Sequence, residues 1–147
     1  MQRVRKSVLV PYSAAAMFEL VDRVELYPQF LPWCAAAQVQ ETRPDGKTAR
    51  IDIHYRGVRA HFTTDNANRA GESIVITLRD GPFRQLNGEW RFLPLAPDAC
   101  KVELELRYEF ATELLERVVG PVFSHIANTF IDAFVRRAEA VYAKAPR

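Results

Sequence analysis

The chain has 147 residues, of which 48% are hydrophobic and 26% are charged, and its formal net charge is +2. These values are typical of one globular domain, and so small a positive excess argues against DNA as a partner. Its two cysteines, Cys34 and Cys100, are too few for a disulfide framework and have no second ligand at metal-binding spacing. We therefore expect a cytoplasmic, metal-free protein without a signal peptide or membrane span.

The N-terminal residues predict a strand followed by a helix. Valines alternate with polar residues up to Pro11, which predicts a first strand over residues 2–10. Ser13 is a favourable N-cap residue. The apolar residues that follow recur at helical spacing, at Ala14, Met17, Phe18 and Val21, so a short amphipathic helix is expected next.

Residues 27–34, YPQFLPWC, place three aromatic side chains and two prolines in one short segment. Pro28 suits the first position of a helical turn, whereas Pro32 pushes Leu31 out of the helical region. The sequence therefore predicts about one turn between the two prolines. We interpret this YPQFLPWC segment as a rigid apolar cap without a regular element.

From Trp33 to Phe110 the hydrophobic period is two, which predicts half-buried strands. Turn sequences rich in glycine, proline and aspartate separate the runs. They are Pro44-Asp45-Gly46, Gly57, Ala70-Gly71, Gly81-Pro82 and Pro97-Asp98. About six strands joined by such short turns predict an antiparallel meander with one face towards solvent.

After Thr112 the period becomes that of a helix, which predicts one C-terminal helix of about thirty residues. Its apolar stripe carries three rings, Phe123, Phe130 and Phe134. Pro121 has no N–H for the carbonyl four residues earlier, so we expect the helix to be broken or bent at Gly120-Pro121. Such a break predicts a hinge that lets residues 114–119 swing and admit a ligand.

These elements predict an α+β, helix-grip architecture in the order β-α-α-β6-α. A curved antiparallel sheet of about seven strands would bury its apolar face by wrapping around the long C-terminal helix. Rings on the strands face the three phenylalanines of the helix, and they are Tyr55, Phe62, Trp90, Phe92 and Tyr108. Such rings either interlock as a filled core or hold the walls apart around a pocket, and periodicity alone does not choose between the two.

Three stretches carry a resemblance that covers the chain from the first strand to Tyr142. They are the YPQFLPWC segment, GPFRQLNGEWRF at residues 81–92 and GPVFSHIANTFIDAFVRRAEAVY at residues 120–142. In these stretches and in its element order, the sequence resembles the coenzyme Q-binding branch of the START-like, or polyketide cyclase, superfamily, whose bacterial members include ribosome association toxins. The resemblance implies a single START-like ligand-binding domain over residues 1–147, with a hydrophobic cavity between sheet and helix.

The resemblance also implies what the cavity binds: ubiquinone or a related polyprenyl lipid, held without chemistry or a required cofactor, in support of respiration. We interpret the YPQFLPWC segment as a lid near the cavity mouth, and the alternative is a plug that closes one end of an ordinary core. The expected cavity and lid residues are Tyr27, Phe30, Leu31, Trp33, Tyr55, Phe62, Trp90, Phe92, Phe123, Phe130 and Phe134.

A second function implied by the resemblance is that of a toxin, which binds the large ribosomal subunit and blocks subunit association. An outward row of basic side chains on one predicted hairpin would suit phosphate contacts. The row consists of Arg50, His54, Arg56, Arg59 and His61. Asp52 interrupts it, and a mixed-charge face is also typical of an ordinary solvated surface. The carrier and the toxin do not exclude each other, and transient contact with a membrane surface is compatible with the carrier.

A polyketide cyclase or dehydrase-like enzyme is the third alternative, and the sequence favours it least. His54 and His61 share the outward face with arginines, and His125 lies on the polar helix face, so we expect no catalytic base among them. Cys34 has no neighbouring His or Lys to lower its pKa, which indicates a small buried side chain. The predicted inward positions are almost all apolar, and we therefore expect no catalytic residues.

Overall fold

The computed structural model describes residues 1–142, which form one seven-stranded sheet, two α-helices and a short 3₁₀ helix. The strands are β1 (Gln2–Val10), β2 (Cys34–Arg43), β3 (Gly46–Tyr55), β4 (Val58–Arg69), β5 (Ser73–Asp80), β6 (Phe83–Ala96) and β7 (Ala99–Phe110). The helices are α1 (Ala14–Asp22), the 3₁₀ helix (Val24–Gln29) and α2 (Glu113–Tyr142). The end of the predicted domain range, residues 143–147, lies outside the described residues.

All neighbouring strands are antiparallel, in the order β1-β7-β6-β5-β4-β3-β2. The first strand, β1, pairs along its whole length with the last strand, β7, from Gln2 opposite Tyr108 to Val10 opposite Cys100. The other strands follow in chain order and are joined at the short turns that the sequence predicts. The sheet is curved, and the buried core lies between its concave face and α2. The predicted meander around a long helix is therefore confirmed.

α1 begins where the sequence predicts, because Ser13 caps it: the Ser13 hydroxyl accepts a hydrogen bond from the Ala16 N–H at 3.1 Å. Its apolar side, which includes Met17 and Val21, is buried in the core. The helix packs across β6 and β7, so it closes one end of the concave face.

The 3₁₀ helix corrects the prediction for the YPQFLPWC segment. The segment was expected to contain no regular element, which is wrong because its first three residues belong to the 3₁₀ helix. The predicted turn after Pro28 is present. Its hydrogen bonds need no N–H from Pro28: the Phe30 N–H donates to the Tyr27 carbonyl at 3.1 Å, and the Leu31 N–H donates to the same carbonyl at 2.9 Å.

α2 is one uninterrupted helix of 30 residues, so its predicted length is confirmed. Of the predicted break or bend at Gly120-Pro121, the break is wrong and the bend stays a prediction. Pro121 removes one backbone hydrogen bond inside the helix. The side chains around it, Val119, Val122 and Phe123, are buried against the sheet, and this packing holds the helix together across the proline. By length and composition α2 would also pass for a membrane span, but its apolar stripe faces the core of the fold.

The β5–β6 hairpin opens towards its turn. The two strands pair with each other only from Ser73 opposite Arg91 to Thr77 opposite Asn87. Beyond that point the end of β5 pairs only with β4, and the start of β6 pairs only with β7. Gly81 in the turn has a φ of +152° and lies against Phe62, where an added Cβ would stand 2.7 Å from the Phe62 Cβ. The turn thus closes this end of the sheet over the Phe62 side chain.

Candidate ligand cavity

A cavity of about 60 Å³ lies between the concave face of the sheet, the 3₁₀ helix and α2. Its lining residues are Val24, Tyr27, Trp33, Ala49, Ile51, Phe62, Thr64, Asn66, Ile76, Leu86, Trp90, Leu106, Phe123, Ile126 and Phe130. Of the residues expected from the sequence, the structure places Tyr27, Trp33, Phe62, Trp90, Phe123 and Phe130 around this space. The aromatic walls therefore neither fill the interior completely nor enclose a wide pocket.

Phe130 of α2 stands at the centre of the aromatic wall. Its ring centre lies 5.7 Å from that of Trp33, 5.6 Å from that of Trp90 and 6.2 Å from that of Tyr27. The two tryptophans are almost fully buried, whereas Phe130 is only half-buried. Among these four rings, Phe130 is therefore the one that can move with the least loss of burial.

The YPQFLPWC segment forms a wall of the cavity. Tyr27, Leu31 and Trp33 are only 4%, 1% and 3% exposed. The Tyr27 hydroxyl donates a hydrogen bond to the Val21 carbonyl at 2.5 Å, which ties the segment to α1. Burial, assisted by the charge of Asp22, raises the pKa of Tyr27 above its usual range. These side chains are packed inside the fold, as expected for a closed lid and equally for a plug, so the interpretation of the segment as a lid stays a prediction.

The remaining expected cavity residues do not line the cavity, and they are Phe30, Leu31, Tyr55, Phe92 and Phe134. The Phe134 and Phe30 rings pack together with centres 5.2 Å apart, and the Arg137 guanidinium covers Phe30. Phe92 packs against Phe18 of α1 at 5.7 Å. Tyr55, at the end of β3, stacks on the exposed ring of His125 at 5.5 Å. The period of a strand indicates which face a residue occupies, but not its position along the cavity.

Thr64 and Asn66 bring polar groups to a cavity that is otherwise lined by apolar and aromatic residues, as the sequence predicts for almost all inward positions. Both share the inward side of β4 with Phe62. The Thr64 hydroxyl donates a hydrogen bond to Asn66 Oδ1 at 2.8 Å. A signal exists in FTTDNANR at residues 62–69, where every second residue after Phe62 is polar. The signal is weak, because the alternate positions are polar as well except for Ala67, and parity alone does not show which set faces inward.

Half-buried members of the lining indicate where the cavity approaches solvent. They are Phe62, Asn66, Ile76 and Phe130. The opening therefore lies between β4, β5 and the middle of α2. The buried side chains of the YPQFLPWC segment form the wall nearer the core.

The predicted basic row on the β3–β4 hairpin is present, but two of its charges are already engaged. Arg50 forms an ion pair with Asp52 at 2.8 Å. Arg56 has a φ of +50°, and its guanidinium rests over the Tyr55 ring at 5.0 Å. Three exposed members share a shallow groove with Asp52, and they are His54, Arg59 and His61.

Groups able to perform chemistry are poorly placed for it. His54, His61 and His125 are exposed and lie outside the cavity lining. Burial raises the pKa of the Cys34 thiol to about 11, which keeps it protonated at neutral pH, and its Sγ faces the Ala36 carbonyl at 3.5 Å. Within residues 1–142 no group of three His, Cys, Asp or Glu side chains could hold a metal ion.

Comparisons with known proteins agree with this geometry. The family described as "Polyketide cyclase / dehydrase and lipid transport" matches residues 10–135. The ribosome association toxin RatA of Escherichia coli strain K12 is 41% identical over 143 residues, which cover 97% of this chain and 90% of that protein. The mitochondrial coenzyme Q-binding protein coq10 of Schizosaccharomyces pombe is 28% identical over 141 residues, which cover 92% of this chain and 85% of that protein.

Among solved structures, the Zhui aromatase/cyclase from Streptomyces sp. R1128 superposes with a TM-score of 0.80 at 17% identity, and the match covers 99% of both chains. A likeness at that identity shows the fold alone, and the fold is the START-like helix-grip arrangement that the sequence predicts. The chain belongs to the polyketide cyclase / dehydrase and lipid transport family.

Proposed function

We propose that this protein binds ubiquinone or a related polyprenyl lipid in the cavity, as a non-enzymatic cytoplasmic carrier that supports respiration. The observation that carries the proposal is the aromatic cavity walled by Trp33, Trp90 and Phe130. Burial of apolar ligand surface is worth about 25 cal/mol per Å², so a prenyl tail needs few polar contacts. The family description includes lipid transport, and one relative is named for coenzyme Q binding, which supports the same ligand class.

The volume of the cavity sets a condition on this function. A protein cavity of about 150 Å³ accommodates benzene, whereas the cavity here has about 60 Å³. A quinone ring therefore requires the walls to move apart. Phe62 and Phe130 are the rings to move, because both are half-buried at the opening while Trp33 and Trp90 are buried behind them.

Ala49 offers a sharp test, because it lines the cavity from β3 and is only 2% exposed. In Ala49→Leu the larger side chain occupies the space that a ligand would need. We expect decylubiquinone to quench Trp33 fluorescence saturably in a Trp90→Phe background, and Ala49→Leu to abolish this quenching. Because the new side chain enters a cavity, the free energy of unfolding should change by less than the roughly 1–3 kcal/mol that overpacking of a solid core costs.

The matched control is Ala67→Leu, which makes the same change at an exposed position of β4 outside the cavity lining. Quenching in this variant should equal that in the Trp90→Phe parent. If decylubiquinone does not quench Trp33 in the parent, or quenches it equally in Ala49→Leu, the proposed function is wrong.

A second candidate function, association with the large ribosomal subunit, is favoured by the named relative that is 41% identical across 97% of this chain. The surface that would suit RNA phosphates is the outward side of the β3–β4 hairpin, where His54, Arg59 and His61 are exposed. This surface lies outside the cavity lining, so one protein is able to carry both functions.

A further inference from the structure

The inward side of β4 carries a row of polar side chains that a purely apolar ligand does not require. After Phe62 its members are Thr64, Asn66 and Asn68, which we call the polar ladder. Thr64 and Asn66 line the cavity, and Asn66 is half-buried where the cavity approaches solvent. A buried polar group needs a hydrogen-bond partner, so the position of the ladder inside an aromatic cavity points to a polar group on the ligand.

Asn66 is the member of the ladder that has donors to offer. The Thr64 hydroxyl donates to Asn66 Oδ1 at 2.8 Å, which orients the amide and engages its oxygen. The nitrogen Nδ2 carries two N–H groups and takes part in no side-chain hydrogen bond among residues 1–142. Asn66 therefore presents two hydrogen-bond donors at the opening of the cavity.

The end of the ladder is held rigidly by a polar network. Asn68 Nδ2 donates to Asp22 Oδ1 at 2.8 Å, and Lys47 Nζ donates to the Asp22 carbonyl at 2.8 Å. Lys47 also lies 3.2 Å from the Asp22 carboxylate, and it stands directly opposite Asn66 in the pairing of β3 with β4. The network fixes the strand on which Asn66 lies, because it ties β3 and β4 to the end of α1.

Asn68, the last member of the polar ladder, lies outside the cavity lining and has one polar atom without a partner. Its Oδ1 is buried and has no hydrogen-bond partner within the described part of the chain. Unpaired buried oxygens are rare and unfavourable in folded proteins. Oδ1 is an acceptor and needs a donor such as a water molecule, so a ligand carbonyl bound at Asn66 leaves this deficit unchanged.

We propose that Asn66, oriented by Thr64, is a headgroup site that donates a hydrogen bond to a carbonyl oxygen of the ligand. The inference rests on the proposed function and deepens it: the ligand is an apolar molecule with a carbonyl-bearing ring. Its apolar body lies among Trp33, Trp90 and Phe130, and its carbonyl lies at the opening between β4, β5 and α2. Because a hydrocarbon of the same shape has no carbonyl oxygen, Asn66 gives the quinone the higher affinity.

The test uses two probes of one shape. We compare dimethylnaphthoquinone with dimethylnaphthalene, which lacks the two carbonyl oxygens. The quinone is methylated at both free ring positions so that it does not alkylate thiols. Affinities of both are measured by calorimetry for the parent, Asn66→Leu and Asn66→Asp. We expect each variant to lose about ten-fold in quinone affinity, which corresponds to one lost hydrogen bond. The naphthalene affinity of Asn66→Leu should stay within about two-fold of the parent value.

Asn66→Asp keeps the shape of the side chain and removes its N–H donors, so it separates loss of the donor from loss of packing. Asn87→Leu, at an exposed position on the outward face of β6, is the control and should bind both probes as the parent does. Equal loss of both probes in Asn66→Leu, or unchanged quinone affinity in both Asn66 variants, would overturn the headgroup site and leave the proposed function standing. A parent that binds neither probe would overturn both.

Discussion

Tyr27 joins the wall of the cavity to α1 through one buried hydrogen bond. Its hydroxyl donates to the Val21 carbonyl at 2.5 Å, and the residue is 4% exposed. Tyr27→Phe leaves that carbonyl without its partner, so we expect the free energy of unfolding to fall by about 1–2 kcal/mol in urea denaturation. Tyr55→Phe is the control, because Tyr55 is half-buried at the surface, and it should change stability little. Equal effects of the two substitutions would contradict this role for Tyr27.

The same tyrosine predicts how stability changes in alkaline solution. Burial and the Asp22 charge raise the pKa of Tyr27 in the folded protein, whereas in the unfolded chain it lies near 10. Above pH ~10 the unfolded chain releases this proton and the folded protein retains it, so stability falls as pH rises. The stabilisation that comes from the raised pKa of Tyr27 is fully present below pH ~10. Urea midpoints measured from pH ~8 to ~11 should fall more steeply for the parent than for Tyr27→Phe, and parallel curves would refute the prediction.

Cys34 should be chemically silent while the protein is folded. With a pKa of about 11 its thiol is almost entirely protonated at pH ~8, and Cys100 is also buried with a raised pKa. We expect an aromatic disulfide reagent to label neither thiol until urea unfolds the chain, as followed by absorbance. Rapid labelling of the native protein at Cys34 would show a reactive thiol and reopen a chemical role for the YPQFLPWC segment.

At the scale of elements, the continuity of α2 across Pro121 argues against the hinge that the sequence predicts, and one substitution tests it. Pro121 lies inside an unbroken helix, so Pro121→Ala restores one backbone hydrogen bond and should raise the free energy of unfolding by about 1–3 kcal/mol. The rate at which decylubiquinone quenches Trp33 should stay unchanged. The neighbouring control is Gly120→Ala, whose new Cβ would stand 3.7 Å from the Phe110 ring, an ordinary contact. Slower quenching in Pro121→Ala alone would restore the hinge.

The strands could be predicted from the sequence, whereas the residues that line the cavity could be predicted only in part. Strand positions, the Ser13 cap and the turns were predictable, because each depends on neighbouring residues or on a simple period. The continuity of α2 across Pro121 was not, since it depends on buried contacts with distant strands. Placement of Phe92 and Tyr55 outside the cavity, and of Asn66 inside it, depends on the curvature of the sheet and on where α1 packs. Neither the curvature of the sheet nor the packing position of α1 can be predicted from a local sequence pattern.

At the scale of the whole molecule, the two proposed functions involve separate parts of the fold, the interior for the ligand and the outer surface for the ribosome. Arg56 and Arg59 are exposed on the β3–β4 hairpin, away from the cavity. Replacing both with Glu should change the free energy of unfolding by no more than about 1 kcal/mol and leave quinone binding intact. If the second candidate function holds, the double variant should cosediment with large ribosomal subunits more weakly, and the difference should shrink as salt is raised.

The matched control changes the same net charge elsewhere, at the exposed residues Arg69 and Arg117. Arg69→Glu/Arg117→Glu should cosediment as the parent does. Equal weakening by both double variants would indicate a response to net charge alone and would exclude the hairpin as the ribosomal surface.

Mass spectrometry of the organic extract of the purified protein tests the central claim, that the cavity holds an apolar ligand, most directly. We expect a quinone or a polyprenyl lipid from the parent and from Ala67→Leu. Ala49→Leu, in which the cavity is filled, should yield none. A parent protein that yields no such lipid, or lipid recovered in equal amounts from parent and Ala49→Leu, would contradict the claim.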